Sequence, residues 1–260
     1  MLSIEIIREE LNSLGVSAPE IIYYDLIDST NTRAKKFARE NPENSDTVVF
    51  IADGQTAGRG RRGRSFVSER GAGIYISLLT YPKDRGFDAT AVTARAAVCL
   101  ARAIESLCEC EIKIKWVNDL YLGGRKLAGI LTEGEMGYDG KIAYQVVGMG
   151  INVYKNAIFE EISDIATSIE GETNCRVDRS KLAAQIIAEF LSETPDCYEE
   201  YKSRSNIIGK MVTVLKPNES YEADVLDINP DFSLKVKSEK GTENLFTGEV
   251  SLKINGECRT

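Results

Sequence analysis

The 260-residue chain contains no histidine, and this absence excludes several kinds of chemistry. Without an imidazole, the chain cannot itself form a Ser-His-Asp or Cys-His catalytic group. A zinc site would need thiolates or carboxylates alone, and no two of the six cysteines are spaced as CxxC. We therefore interpret the cysteines as reduced, structural thiols. Lys, Arg, Asp, Glu, Tyr and backbone groups remain for catalysis.

Long apolar runs and an excess of positive charge are also missing. No stretch approaches the roughly eighteen apolar residues that a membrane-spanning helix needs, and the first residues are acidic and amphipathic, unlike a secretory signal. A net charge of −8 and a pI of about 4.9 argue against general nucleic-acid binding. We therefore expect a cytoplasmic protein with neither a membrane nor DNA as a partner.

One loop is strongly basic against this acidic background. Residues 58–64 read GRGRRGR. Glycine lets a backbone approach a ligand closely, and each guanidinium offers a fork of donors that suits carboxylate or phosphate. In isolation, such a segment is typical of a solvated loop or a weak nucleic-acid patch. Because the whole chain is acidic, we interpret this loop as a binding site for a small anion.

The apolar patterns predict a mixed α/β part followed by an all-β part. We predict strands at Ile21–Ile27, Thr47–Ala52, Gly73–Tyr81 and Lys141–Val153, a hairpin over Glu111–Glu135 that turns at Gly123 and Gly124, and helices from Ser29 or Thr30 to Glu40, over Ala91–Leu107 and over Asp178–Ser192. Short strands at Val212–Val214, Ala223–Ile228, Phe232–Lys237 and Glu249–Ile254 predict a small barrel. We place the domains at 1–206 and 207–260, and Trp116 in the core.

Five segments, in a fixed order, carry a resemblance to a known family. They are DSTN at Asp28–Asn31, DGQTAGRGRRGR at Asp53–Arg64, KWVNDLYL at Lys115–Leu122, RKLAGILTE at Arg125–Glu133 and GMGIN at Gly148–Asn152, with GEVSLK at Gly248–Lys253 near the end. Over nearly the whole chain after Ile21, the sequence resembles the biotin protein ligases. The resemblance implies a class II synthetase-like α/β (α+β) catalytic domain, with a mixed sheet and packed helices, followed by an SH3-like β-barrel domain.

The resemblance also implies a reaction in two steps. Biotin and ATP, with Mg²⁺, give biotinyl-5′-adenylate and pyrophosphate, and a lysine of a biotin carboxyl carrier protein domain then attacks the activated acyl carbon. Neither step needs a covalent enzyme intermediate, which agrees with the missing histidine, because positioning and electrostatic stabilisation can accelerate both. The resemblance leaves a homodimer open.

By the same resemblance, particular residues acquire roles. The biotin-binding residues would be Ser29, Thr30, Asn31, Gln55, Arg59, Gly60, Arg61 and Lys126, and the ATP-binding residues Arg61, Arg64, Asn118, Asp119, Lys126 and Asn152. Lys126, Arg61 and Asp119 would be catalytic, since cations must separate the biotin carboxylate from the α-phosphate and Asp119 would orient or deprotonate the incoming lysine. No metal ligand set is assigned.

Taken singly, these residues have simpler interpretations. Ser29 and Thr30 are typical helix caps, Asn118 and Asp119 typical turn residues, and Lys126 a typical surface lysine. The chain also departs from the family pattern, with Val117 in place of a proline and Phe66 in place of a tryptophan. These departures leave the basic loop intact.

The residues before the first strand are too few for a winged helix-turn-helix, so we expect a monofunctional ligase. We also expect the arginine loop to be mobile when empty and to become ordered around an anion. Three alternatives stay open at this point. They are a lipoate or octanoate ligase, whose usual signature includes a histidine that this chain lacks, a nucleic-acid-binding module, and a biotin-binding protein without catalysis.

Overall fold

The computed structural model describes residues 2–82, 88–137, 140–192, 196–216, 218–246 and 251–254. Within these ranges, the helices are α1 Ile4–Ser13, α2 Thr30–Glu40, α3 Ala89–Glu105, α4 Ile169–Thr173, α5 Arg179–Leu191 and α6 Tyr198–Ser203. The strands are β1 Glu20–Tyr24, β2 Val48–Ala52, β3 Gly73–Thr80, β4 Lys113–Lys115, β5 Asp119–Leu122, β6 Arg125–Met136, β7 Ile142–Asn152, β8 Met211–Leu215, β9 Ser220–Ile228, β10 Leu234–Ser238, β11 Gly241–Leu245 and β12 Ser251–Ile254.

The strands form two sheets. The first has seven strands in the order β1-β2-β3-β7-β6-β5-β4, in which β1 is parallel to β2 and the other pairs are antiparallel. The second has five antiparallel strands in the order β11-β10-β9-β8-β12. The predicted mixed α/β part and the small barrel-like β part are thus confirmed. The proposed division after residue 206 falls between α6 and β8 and stays a prediction.

The first sheet is covered on both faces, and the sequence of β2 shows why. Val48 and Phe50 face α2, where they pack with Ala34 and Ala38. The alternate residues Val49 and Ile51 belong to the main core with α3 and α5. A strand buried on both faces is apolar at every position, as VVFIA is. The helices therefore cover both faces of the central strands beneath the loops that join them.

Several predicted boundaries need correction. The first strand ends at Tyr24, and Ile27 instead forms an isolated bridge with Gln55. The predicted hairpin over 111–135 is a three-stranded unit of β4, β5 and β6. Its turn is confirmed, since Gly123 and Gly124 have φ values of 57° and 81°, which glycine adopts most readily. The first residues of the predicted final strand and of the GEVSLK segment lie outside the described residues.

The described helices include none that is long and apolar enough to span a bilayer. The five described cysteines are all free. Burial raises the pKa of Cys99 to about 11 and, together with neighbouring Cys175, that of Cys108 to about 12. Such thiols are inert at neutral pH, which agrees with the interpretation of these two as structural. Cys258 lies outside the described residues.

A buried ion pair fixes the start of the arginine loop. Asp53 follows β2, and its Oδ1 lies 2.8 Å from a terminal nitrogen of Arg179 on α5, with both side chains 5% exposed. The same nitrogen of Arg179 donates to the carbonyl of Gly73 at 3.0 Å. The backbone of Asp53 bonds Tyr24 and Gly71. Asp53 therefore joins β1, the turn before β3 and α5 where the loop begins.

Removing one partner of this buried pair should be costly. We predict that Asp53→Asn destabilises the fold by about 3–5 kcal/mol, because the Arg179 charge stays buried without a counter-charge. Asp25→Asn, which removes the exposed partner of Arg70, should cost less than about 1 kcal/mol. Urea denaturation of both variants measures the difference. Equal midpoints would show that the buried pair has no special importance.

Candidate active site

All but one of the predicted site residues line a single pocket between α2, the arginine loop and the centre of the first sheet. The lining consists of Ser29, Thr30, Asn31, Gln55, Arg59, Gly60, Arg61, Arg62, Arg64, Ser65, Phe66, Asn118, Asp119, Lys126, Gly129, Ile130, Leu131, Gly148, Met149 and Gly150. Asn152 lies outside this lining, where its Nδ2 donates to the carbonyl of Thr167 at 3.1 Å. Its assignment to ATP stays a prediction.

One end of the pocket is neutral and polar. The backbone N–H of Thr30 donates to Oε1 of Gln55 at 2.8 Å, and Nε2 of Gln55 donates to the Ser68 hydroxyl at 2.9 Å. The hydroxyl of Ser77, on β3, lies 2.7 Å from Oγ1 of Thr30 and 2.6 Å from Oδ1 of Asn31. This network fixes donors and acceptors in a buried setting, which suits an uncharged polar ligand.

Ser29 confirms the predicted start of α2 but not the capping of that start by its side chain. It occupies the N-cap position of α2 in an extended conformation, yet its side chain makes no capping hydrogen bond to the described residues. Gln55, which lies 25 residues after Thr30, accepts from the first helical N–H, that of Thr30, instead. The Ser29 side chain therefore lines the pocket without serving the helix terminus.

Two glycines of β7 form a floor that admits no side chain. A Cβ at Gly148 would lie 1.9 Å from Oδ1 of Asn31, and one at Gly150 would lie 2.5 Å from the Phe66 ring. Side chains of the pocket therefore approach the backbone of β7 closely at these two glycines. Phe66, at the position of the expected tryptophan, also packs edge-to-face on Tyr75 with ring centroids 6.5 Å apart.

The arginine loop is a short hairpin over the pocket. Gly60 N–H donates to the carbonyl of Arg64 at 2.7 Å, and an isolated bridge joins Arg59 to Ser65. Arg62, at the tip, has a φ of 56°, and its guanidinium donates to the carbonyl of Leu215 at the end of β8. The loop therefore contacts the second sheet as well as the first. Its ordering around an anion stays a prediction.

Arg61 is the arginine that reaches deepest into the site. One terminal nitrogen donates to Oδ1 of Asn118 at 2.9 Å. Burial is the main cause that lowers the pKa of Arg61; the charge of Asp119 opposes this effect, and those of Arg62 and Arg64 add to it. The guanidinium keeps its charge at any ordinary pH. An anion bound beside Arg61 would be stabilised by the positive charges of Arg61, Arg62 and Arg64.

Arg59 is held by a carboxylate on β6. Its guanidinium lies 3.2 Å from Glu133, which also accepts from Lys35 at 2.6 Å and from Asn31 at 3.0 Å. Burial alone raises the pKa of Glu133, but the hydrogen bonds from Lys35 and Asn31 and the charges of Lys35 and Arg59 outweigh burial and lower it. Glu133 is therefore ionised at neutral pH and balances the charge of Arg59.

Lys126 reaches the site because β6 contains a bulge. Asp119 pairs with Gly129 and Leu120 with Ala128, but Tyr121 then faces Lys126 and not Leu127. Since side chains alternate along a strand, the additional residue turns Lys126 to the face that carries Asp119. Its Nζ lies 2.7 Å from Oδ1 of Asp119. Asp119 also accepts from Nδ2 of Asn118 at 2.9 Å.

Several residues of this site were not predicted from the sequence. Ser77, Ser68 and Lys35 support the pocket residues through side-chain contacts, and Glu133 was quoted only as the last letter of a motif. Ser77 could have been found from the sequence, because it is a polar residue inside the apolar run of β3. The structure buries it fully. A hydroxyl at such a position has a hydrogen-bonding partner in nearly all folded proteins.

The fold and the site define a protein ligase of the biotin/lipoate type. A model of the biotin/lipoate A/B protein ligase family matches residues 23–152. The chain is 30% identical over 247 residues to the bifunctional ligase/repressor BirA of Bacillus spizizenii, covering 91% of this chain and 75% of that protein. It is 37% identical over 168 residues to the biotin--[acetyl-CoA-carboxylase] ligase of Paracoccus denitrificans, covering 63% and 68%.

A solved structure shows the same relationship. The biotin protein ligase from Aquifex aeolicus, in complex with biotin and ATP, superposes with a TM-score of 0.76 and 26% identity, covering 91% of this chain and 99% of that one. The chain belongs to the biotin/lipoate protein ligase family, and the resemblance stated from its motifs is confirmed.

The glycine floor gives a direct test of the pocket geometry. We predict that Gly148→Ala destabilises the protein by about 1–3 kcal/mol, because the added methyl group overlaps Asn31 and displaces it from Ser77 and Glu133. Gly129→Ala on the neighbouring strand is the matched control, since its Cβ would meet Lys126 Nζ at an ordinary 3.4 Å. Thermal denaturation compares the two variants. Equal melting temperatures would contradict the packing described.

Proposed function

We propose that this chain is a biotin protein ligase, which joins biotin to ATP as biotinyl-5′-adenylate and then transfers biotin to a lysine of a carrier protein. The observation that carries the proposal is the division of one pocket into two ends. Around Thr30 and Gln55 it offers neutral hydrogen-bonding groups, and around Arg61 and Lys126 it offers cations. The uncharged ureido ring of biotin fits the first end, and its carboxylate with the phosphates of ATP fits the second.

Repulsion between the reacting groups is the main obstacle to the first step. The biotin carboxylate attacks the α-phosphate, pyrophosphate leaves, and both reactants are anions that repel strongly as water is excluded. Lys126 would leave its contact with Asp119 and place its ammonium between the two groups. Arg61 and Arg64 would neutralise phosphate oxygens, and Arg59 would close over the product. No proton has to move in this step, which suits a site without histidine.

In the second step, an amine attacks the acyl carbon of the mixed anhydride and AMP leaves. The carrier lysine must reach this carbon as a neutral amine and lose a proton as the amide forms. Asp119 is the carboxylate that lines the cationic end. Once Lys126 has turned to the phosphate, Asp119 is free to orient the amine and accept its proton.

Mg²⁺ fits as a companion of ATP. The described residues contain no group of three His, Cys, Asp or Glu side chains arranged to hold a metal. Mg²⁺ commonly binds through one or two carboxylates together with substrate phosphates and water, and Asp119 supplies such a carboxylate. When bound, the ion would neutralise phosphate charge.

The acceptor we propose is the lysine-bearing carrier domain of a biotin-dependent carboxylase. The relative from Paracoccus denitrificans is named for acetyl-CoA carboxylase, and this is the support for that choice. A monofunctional chain, a cytoplasmic location and the oligomeric state remain predictions.

The direct test mixes the protein with biotin, ATP, Mg²⁺ and a carrier domain, and detects biotinylated product with avidin. Lys126→Ala and Arg61→Ala should each slow adenylate formation by about 100-fold or more, as for the loss of other charge-stabilising donors. The swaps Lys126→Arg and Arg61→Lys should also impair it, because a compact ammonium and a planar fork are not interchangeable. Lys36→Ala, an exposed residue paired with Glu40, should keep full activity.

Other outcomes would select another function. Biotin binding without adenylate would indicate a binding protein, and adenylation of lipoate in place of biotin would indicate the lipoate branch. Salt-sensitive RNA binding without adenylation would indicate a nucleic-acid module. Full activity of both alanine variants would refute the assigned roles.

A further inference from the structure

We propose that Tyr201, on α6, is a positioning residue for the nucleotide end of the site. It acts through the backbone of Val117, together with a hydrogen bond by which the turn between two strands of the second sheet holds Trp116. The inference rests on the proposed function, because it concerns how Asn118 and Asp119 are presented to ATP. It assigns the second sheet a definite task in adenylate formation.

The first half of this arrangement is the Tyr201 hydroxyl. Tyr201 is fully buried, and its hydroxyl donates to the carbonyl of Val117 at 3.1 Å. Burial raises the pKa of this phenol well above its usual value, so the group stays a neutral donor. A buried phenol needs such a partner. Here the partner is the carbonyl of the residue immediately before Asn118.

The second half comes from the turn between β9 and β10, far along the chain. The indole Nε1 of Trp116 donates to the carbonyl of Phe232 at 2.8 Å. Phe232 has a φ of 60°, a conformation that is unfavourable for a bulky side chain. Its N–H bonds the Asn229 carbonyl at 2.8 Å, and the following Ser233 is fixed by Asp231. The turn thus holds a strained residue with its carbonyl towards Trp116.

These two bonds fix the residues on which the pocket cations depend. Trp116 and Val117 precede Asn118, which accepts from Arg61, and Asp119, which pairs with Lys126. A small displacement of this turn would move the partners of both cations together. Even small displacements lower reaction rates strongly where reacting groups must be aligned. We therefore expect loss of the Tyr201 hydroxyl to weaken the use of ATP more than the binding of biotin.

Tyr198 provides a matched control on the same helix. Both tyrosine rings pack edge-on against Phe232, at 6.0 Å for Tyr198 and 5.4 Å for Tyr201. The Tyr198 hydroxyl also donates to a backbone carbonyl, at 2.8 Å, but this is the carbonyl of Ile228 in β9. The two hydrogen bonds therefore go to different parts of the fold, and Tyr198 is also less buried than Tyr201. A purely structural role would not separate the use of ATP from the use of biotin in either phenylalanine variant.

The experiment measures pyrophosphate exchange against ATP and against biotin for the full chain and for Tyr201→Phe and Tyr198→Phe. Tyr201→Phe should raise the half-saturating ATP concentration about three- to tenfold, the range expected for one hydrogen bond. Half-saturation with biotin should change less than about twofold. Tyr198→Phe should leave both values near wild type. Trp116→Phe, which lacks the indole donor, should reproduce the ATP defect.

The outcomes separate this inference from the proposed function. If the unaltered chain gives no biotin-dependent exchange, the proposed function fails and the inference fails with it. If the unaltered chain is active, equal ATP values for the two tyrosine variants would overturn the inference alone, as would equal losses towards ATP and biotin in Tyr201→Phe. If Tyr201→Phe does not fold, an unchanged ATP value for Trp116→Phe would overturn it.

Discussion

Two anions have to meet in one small pocket of a protein that is itself negatively charged, and the rest of the structure is arranged around this constraint. Within this pocket, each principal cation has a partner. Arg59 rests on Glu133, Lys126 on Asp119 and Arg61 on Asn118. These partners lower the free energy needed to keep positive charge in the site. The incoming carboxylate and phosphates would replace them, so that binding exchanges one set of electrostatic contacts for a stronger one.

Three further features of the fold also help to position the charged groups of the pocket. The bulge in β6 turns Lys126 towards Asp119, and the glycines of β7 leave room for Asn31 and Phe66 above the strand. The buried pair of Asp53 and Arg179 fixes the point from which the arginine loop departs. The bulge, the two glycines and the buried ion pair therefore determine whether the charged groups of the pocket align.

The sequence predicted the architecture, and all but one of the site residues named from its motifs line the pocket, because both depend on local patterns. Motif letters placed Ser29, Lys126 and Arg61, and apolar runs placed the buried strands. What it missed depends on contacts between distant residues. The pairing of Arg59 with Glu133 spans 74 residues, and the bulge that turns Lys126 leaves no trace in periodicity. Tyr201 lies in no motif, and its partner Val117 entered the sequence analysis only as a departure from a family pattern.

The most direct measurement is a crystal structure of the chain with biotin and a non-hydrolysable analogue of ATP. In that structure, Lys126 Nζ should have left Asp119 and should lie within about 3 Å of both the biotin carboxylate and an α-phosphate oxygen. Arg61 should contact the phosphates. If both ligands are bound in the pocket while Lys126 remains on Asp119 and touches neither anion, the central claim is contradicted.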